Sequence, residues 1–115
     1  MRTSKAVVLV FFLVFSASAA SAASFDCYRA RTPDEHAICN DRALNDKDVE
    51  LTTRYSMVLQ LLAMGMRGDL QDEQRAWLAQ RRTCGADRAC IGRMYDQRIS
   101  RIKGVFDGVA SHGPF

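Results

Sequence analysis

The sequence has 115 residues, is 48% hydrophobic and 25% charged, and sets 16 lysines and arginines against 13 aspartates and glutamates for a formal net charge of +3. That length bounds the chain to one small domain. The charge is too slight to supply the strongly basic field on which nucleic-acid binding rests, so no nucleic-acid partner is expected.

Arg2 and Lys5 precede an apolar run over 6–15, and the small-residue tract SASAASAAS follows. This is the layout of a cleaved secretory signal. Ala20 and Ala22 form an A-x-A pair that favours a cut after Ala22, and the alanine repeats leave other cuts open. The run is shorter than the roughly 20 apolar residues of a membrane span. Cys27, preceded by Ser24, Phe25 and Asp26, does not follow a lipoprotein-type run. Residues 1–22 are therefore expected to be a signal peptide and 23–115 a single helical domain, ordered over about 25–104, that is periplasmic or secreted. Without Arg2 and Lys5 the chain keeps 14 basic and 13 acidic residues, a net +1. Acids dominate 23–50 and bases dominate 67–103, which reads as a mixed solvated surface.

Four cysteines in a small exported chain point to two disulfides. Of the three possible connectivities, Cys27 with Cys39 and Cys84 with Cys90 is preferred, because each pair closes a short local loop. No CxxC is present, and His36 and His112 do not stand at zinc-ligand spacing from cysteines, so no metal or cofactor is expected.

Thr32, Pro33, Asp34 and Glu35 read as a helix start, with threonine as N-cap, proline at the first helical position and glutamate completing a capping box. The short helix runs through Cys39. His36 lies one turn before Cys39, but a cysteine with an available partner in an oxidising compartment is disulfide-bonded rather than a thiol nucleophile. From Arg42 to about Met64, Leu44, Leu51, Tyr55, Val58, Leu59 and Leu62 mark one side of a long helix, with Asp46, Asp48, Glu50 and Arg54 facing outward or toward its edges. Gly65 and Gly68 are expected to break it. Met64 and Met66 beside the break read as gap-fillers or as an adaptable apolar patch. Asp69 is expected to cap the next helix, whose face comprises Leu70, Gln74, Trp77, Leu78 and Arg81. Thr83, Cys84 and Gly85 clip the corner, and Asp87 caps a last helix from about Arg88 to Lys103. Its apolar stripe is Ile91, Tyr95, Ile99 and Ile102 with Met94 beside it. Arg98 shares that stripe, which requires an ion pair at the core edge, and Asp48 is the expected partner of Arg98 or Arg81. Beyond Gly104 the tail is expected to fray. The predicted fold is all-α, a small disulfide-stapled helical hairpin or bundle with one long helix and two shorter ones.

The sequence contains no GxSxG, HExxH, P-loop or glycine-rich dinucleotide turn. Asp46 with Glu50 and Asp69 with Glu73 share helix faces at i and i+4, as solvated surface pairs usually do. No catalytic residue is assigned, and binding is the expected class of function.

The pattern FDC at 25–27, AIC at 37–39, Leu44, Asp48, Leu51 and Tyr55, then QRAWLAQR at 74–81 followed by Cys84, Cys90, Tyr95 and Arg98, resembles the N-terminal domain of the LprI-like lysozyme inhibitor family. The resemblance spans 25 to about 102. It implies an exported, disulfide-bonded helical domain with lysozyme inhibition as its activity, and the helical stripes place Leu51, Tyr55, Trp77, Tyr95 and Arg98 in the structural core. Two departures stand out. The family's namesake is a lipoprotein, whereas this chain is expected to be free in the periplasm, and Lys47 occupies a usually apolar position. If inhibition is the activity, it works by occlusion: a muramidase cleft carries two carboxylates, and the corner bearing Asp87 and Arg88 is the short rigid loop with a basic tip. Lysozyme or another envelope protein is the expected partner. The alternative function is a cell-envelope interaction module without inhibitory activity.

Overall fold

The first helix starts where proline and glutamate set it. The computed structural model describes residues 23–112, and the expected signal peptide lies outside them. Cys27–Arg29 form a 3₁₀ turn capped by Asp26, whose side chain accepts from the Tyr28 N–H at 2.9 Å. Helix α1 is Pro33–Asn40, and Glu35 reaches back to accept from the N–H groups of Arg31 (2.7 Å) and Thr32 (3.3 Å). Asp41 has extended backbone and caps α2, Arg42–Leu61, by accepting from the Leu44 N–H at 3.0 Å. Helix α3 is Met64–Thr83 and α4 is Arg88–Ala110. Among the described residues there is no strand, and both expected disulfides, Cys27–Cys39 and Cys84–Cys90, are formed. The all-α reading therefore holds.

Three details of that reading need correction. The expected long helix and two shorter ones are instead helices of 20, 20 and 23 residues after a short α1. The break falls at Leu62 and Ala63 rather than at the glycines. Leu62 adopts extended backbone and is buried at 5% exposure, so burying this side chain, not glycine flexibility, turns the chain. Gly65 and Gly68 then lie within the first turns of α3, which starts after Ala63 without a side-chain cap, and Asp69 is an exposed second-turn residue. Finally, α4 continues through Gly104 to Ala110, because Val105 and Val109 pack against the core and outweigh a glycine's propensity cost of about 1 kcal/mol.

A Cβ added at Gly68 or Gly104 meets nothing within 4 Å. Gly68→Ala and Gly104→Ala are each expected to raise unfolding stability by about 0.5–1 kcal/mol, read as a higher urea midpoint at unchanged slope.

Helices α2 and α4 run parallel and pack closely: Leu44 lies beside Gly92, Lys47 pairs with Asp96, Asp48 meets Tyr95, and Val58 lies near Ile102. Helix α3 returns antiparallel along α4, bringing Trp77 to Met94 and Glu73 to Arg98. The shared core includes Ile38 from α1, Leu44, Leu51 and Val58 from α2, Leu70 and Trp77 from α3, and Ile91, Tyr95, Ile99 and Ile102 from α4. Lys47, the departure from the apolar pattern, is half-buried and uses its position to join α2 to α4 through Asp96. Leu78, expected on the Trp77 face, points outward at 39% exposure.

Candidate functional site

Four helices converge on a buried polar chain. Arg81, 6% exposed on α3, donates from Nε to Asp34 Oδ2 on α1 at 2.8 Å and from Nη1 to the Tyr95 hydroxyl on α4 at 3.0 Å. That hydroxyl in turn donates to Asp48 Oδ1 on α2 at 2.8 Å. The Trp77 ring lies edge-on to Tyr95 at 5.2 Å, its indole N–H donates to the Met94 carbonyl at 3.1 Å, and the Arg81 guanidinium stands over both rings at 5.6 and 5.9 Å. Burial opposes ionisation of Asp34, but the Thr32 hydroxyl, the hydrogen bond and charge of Arg81, and the Glu35 amide outweigh it and hold the carboxyl below its ordinary value. Burial, reinforced by the charge of Asp48 against the opposing charge of Arg81, pushes the Tyr95 phenol far up, so it stays neutral and can donate and accept at once.

The expected pairing of Asp48 with Arg98 or Arg81 is thereby corrected. Arg81 takes Asp34 as its direct partner and reaches Asp48 only through Tyr95. Arg98, 5% exposed, bonds to Gln74 Oε1 at 2.9 Å and Glu73 Oε2 at 3.0 Å across the α3–α4 seam. Asp48 turns inward at 3% exposure, not outward with Asp46. Glu73 also receives Arg101, whose hydrogen bond is the main cause of its lowered pKa. Within the acidic pairs on helix faces, Glu50 is held by Arg54 at 2.9 Å and Glu73 by two arginines. The sulfur of Cys39 is bonded to Cys27, so it offers no thiol to the exposed His36.

At one end of the bundle lies the α3–α4 corner. The disulfide spans it, Gly85 takes the left-handed conformation at φ +57°, and Asp87 accepts from the Cys90 N–H at 3.0 Å. Asp87 is therefore engaged as a cap. The Arg88 side chain, 60% exposed, lies 3.4 Å from Asp41 at the start of α2. Arg42 and Arg82, also exposed, flank this end in sequence, at the starts and ends of the helices that meet there.

The opposite end carries two grooves with largely apolar walls. A groove of about 660 Å³ lies between α3 and α4, walled by Leu62, Met66, Leu70, Val105 and Val109. A second, of about 340 Å³, separates α2 from α4 beside Met57 and Phe106. Met64 is 88% exposed, Met57 59% and Met66 56%, so these methionines lie at the surface rather than filling gaps in the core. Val105, Phe106 and Val109 of the α4 walls lie beyond Gly104, which reads as a stop in the sequence.

A family profile described as Lysozyme inhibitor LprI matches residues 27–110. Proteins named Lipoprotein LprI from Mycobacterium bovis and Mycobacterium tuberculosis are each 32% identical over 108 aligned residues, covering 83% of this chain and 53% of the relative. The chain thus spans about half the length of the curated relatives it matches. No solved structure matches.

Proposed function

We propose that this chain, which belongs to the lysozyme inhibitor LprI family, is an exported inhibitor that blocks a muramidase cleft by contact and without chemistry of its own. The observation that carries the reading is the pinned α3–α4 corner, where a disulfide, an αL glycine and an N-cap hold the backbone on both sides of a largely exposed arginine. A preformed loop loses little conformational freedom on binding. The two carboxylates of a muramidase cleft favour a guanidinium, which can engage a carboxylate through two parallel hydrogen bonds. Export suits the same features, since disulfides persist outside the reducing cytoplasm.

The assay is lysis of a bacterial suspension, followed by turbidity, with the oxidised protein added to several lysozyme types. Inhibition is expected with at least one type, and unchanged lysis at excess protein with all of them overturns the proposal. Arg88→Glu is expected to weaken inhibition by at least about tenfold, equivalent to about 1.4 kcal/mol of binding. Its melting temperature should barely move, because the Arg88–Asp41 pair is solvated and such pairs contribute about 0–1 kcal/mol. Full inhibition by Arg88→Glu removes the corner from the contact.

A further inference from the structure

Asp48 is a buried carboxylate with no direct cationic partner among the described residues. It is 3% exposed, its Oδ1 accepts from the neutral Tyr95 hydroxyl, and none of the ion pairs formed by the described residues includes it. Asp34, the other carboxylate of the chain of hydrogen bonds, has Arg81 directly against it. A carboxylate taken out of water calls for a positive charge at contact distance. What stands at contact distance from Asp48 Oδ2 is the main-chain nitrogen of Ser24, at 2.5 Å. Two anchors fix the approach of that nitrogen: Phe25 packs against the core, and Cys27 is bonded to Cys39.

Ser24 follows Ser21, Ala22 and Ala23. A cut after Ala23 has the small residues Ser21 and Ala23 at the two positions that a signal-processing protease reads, so it fits the rule as the cut after Ala22 does. We propose that the chain is processed between Ala23 and Ser24, and that the new α-ammonium of Ser24 forms an ion pair with Asp48. The step is a hydrolysis. Water is consumed across the Ala23–Ser24 peptide bond, Ala23 leaves with the carboxylate, and the freed Ser24 amine takes up a proton. A cut after Ala22 leaves the Ser24 nitrogen an amide and carries the charge one residue away, about 3.8 Å along the chain. Processing at Ala23 thus completes a charge chain through all four helices, running from Ser24 to Asp48, Tyr95, Arg81 and Asp34. The proposal rests on the export reading and is independent of inhibition.

Two measurements test it. The full chain is exported from a bacterial host, purified oxidised, and its intact mass measured. A mass beginning at Ser24 is expected. A mass beginning at Ala23 or at any other residue overturns the proposal and leaves export standing, whereas an uncleaved chain removes export as well. Semisynthetic chains beginning at Ser24 are then compared with a free and an acetylated amine. Acetylation keeps one N–H donor and removes only the charge, so it should lower the melting temperature by about 5 °C. In an Asp48→Asn background the difference should vanish. Equal melting of the free and acetylated chains overturns the ion pair, whatever the stability of Asp48→Asn.

Discussion

Arg81→Ala is expected to destabilise the fold by about 3–5 kcal/mol, the range for removing one partner of a buried ion pair. A domain of this size has about 5–13 kcal/mol of stability in total, so the variant should be marginal at 37 °C. The loss has three sources. Asp34, 1% exposed, is left without its counter-charge; the Tyr95 hydroxyl loses its donor; and the cation over the Trp77 and Tyr95 rings disappears. Asp34→Asn on the Arg81→Ala background should recover part of the loss, because it removes the orphaned charge. No recovery would exclude the orphaned Asp34 charge as a source of the loss and leave it with the Tyr95 hydrogen bond and the ring contacts.

The effect of acid on this variant has a definite sign. In the native protein Asp34 titrates below its ordinary value of 3.8, and Glu35 and Glu73 below theirs of 4.5. Carboxylates with depressed folded pKa values contribute stability that is fully present above those ordinary values and is lost as pH falls through the folded ones. Native stability should therefore hold from neutral pH down to about 4.5 and fall below it. In Arg81→Ala, Asp34 keeps its burial and loses its cation, so its pKa rises and protonation relieves the penalty as pH falls. The gap between the two proteins should accordingly narrow in acid. Urea unfolding at pH 7 and near pH 3.5 measures this, and a gap that stays constant would exclude Asp34 as the main source of the loss.

How far the sequence discloses such a network depends on whether its signals are local. The Ile91, Tyr95, Ile99 and Ile102 stripe, the capping box at Glu35 and the Asp87 cap all repeat or complete themselves within one or two turns, and each is found where its spacing puts it. The Cys84–Cys90 loop is similarly short. Asp34 and Asp48, by contrast, meet partners 47 positions away, and in sequence both look like ordinary helix-surface acids, Asp34 because negative charge suits a first helical turn. The arginine on the α4 stripe did announce that a carboxylate was needed, but periodicity says nothing about which helix supplies it. The α2–α3 turn misled for a related reason. Glycine is the stronger local stop signal, whereas the determinant is the burial of Leu62, a tertiary event.

Removing the two disulfides separately is expected to give different kinds of loss. The chain-entropy cost of the Cys27–Cys39 loop, separation 12, is about 3 kcal/mol, and that of Cys84–Cys90, separation 6, about 2 kcal/mol. The first staple also holds the segment that brings Phe25 to the core and Ser24 to Asp48, so Cys27→Ser with Cys39→Ser should lose those contacts too and melt well below the native protein. The corner is different. With Cys84→Ser and Cys90→Ser, the Asp87 cap and the αL glycine remain, Ile91 stays in the core, and the bundle should remain helical with about 2 kcal/mol less stability. Its backbone would no longer be clamped on both sides of Arg88, so on the proposed inhibitory reading inhibition should fall by more than the unfolded fraction accounts for. Circular dichroism melts beside the turbidity assay separate the two effects. If the corner variant is folded and inhibits as the native protein does, rigidity at Arg88 is irrelevant to the contact, and the groove between α3 and α4 walled by Leu62, Met66, Leu70, Val105 and Val109 becomes the surface to mutate.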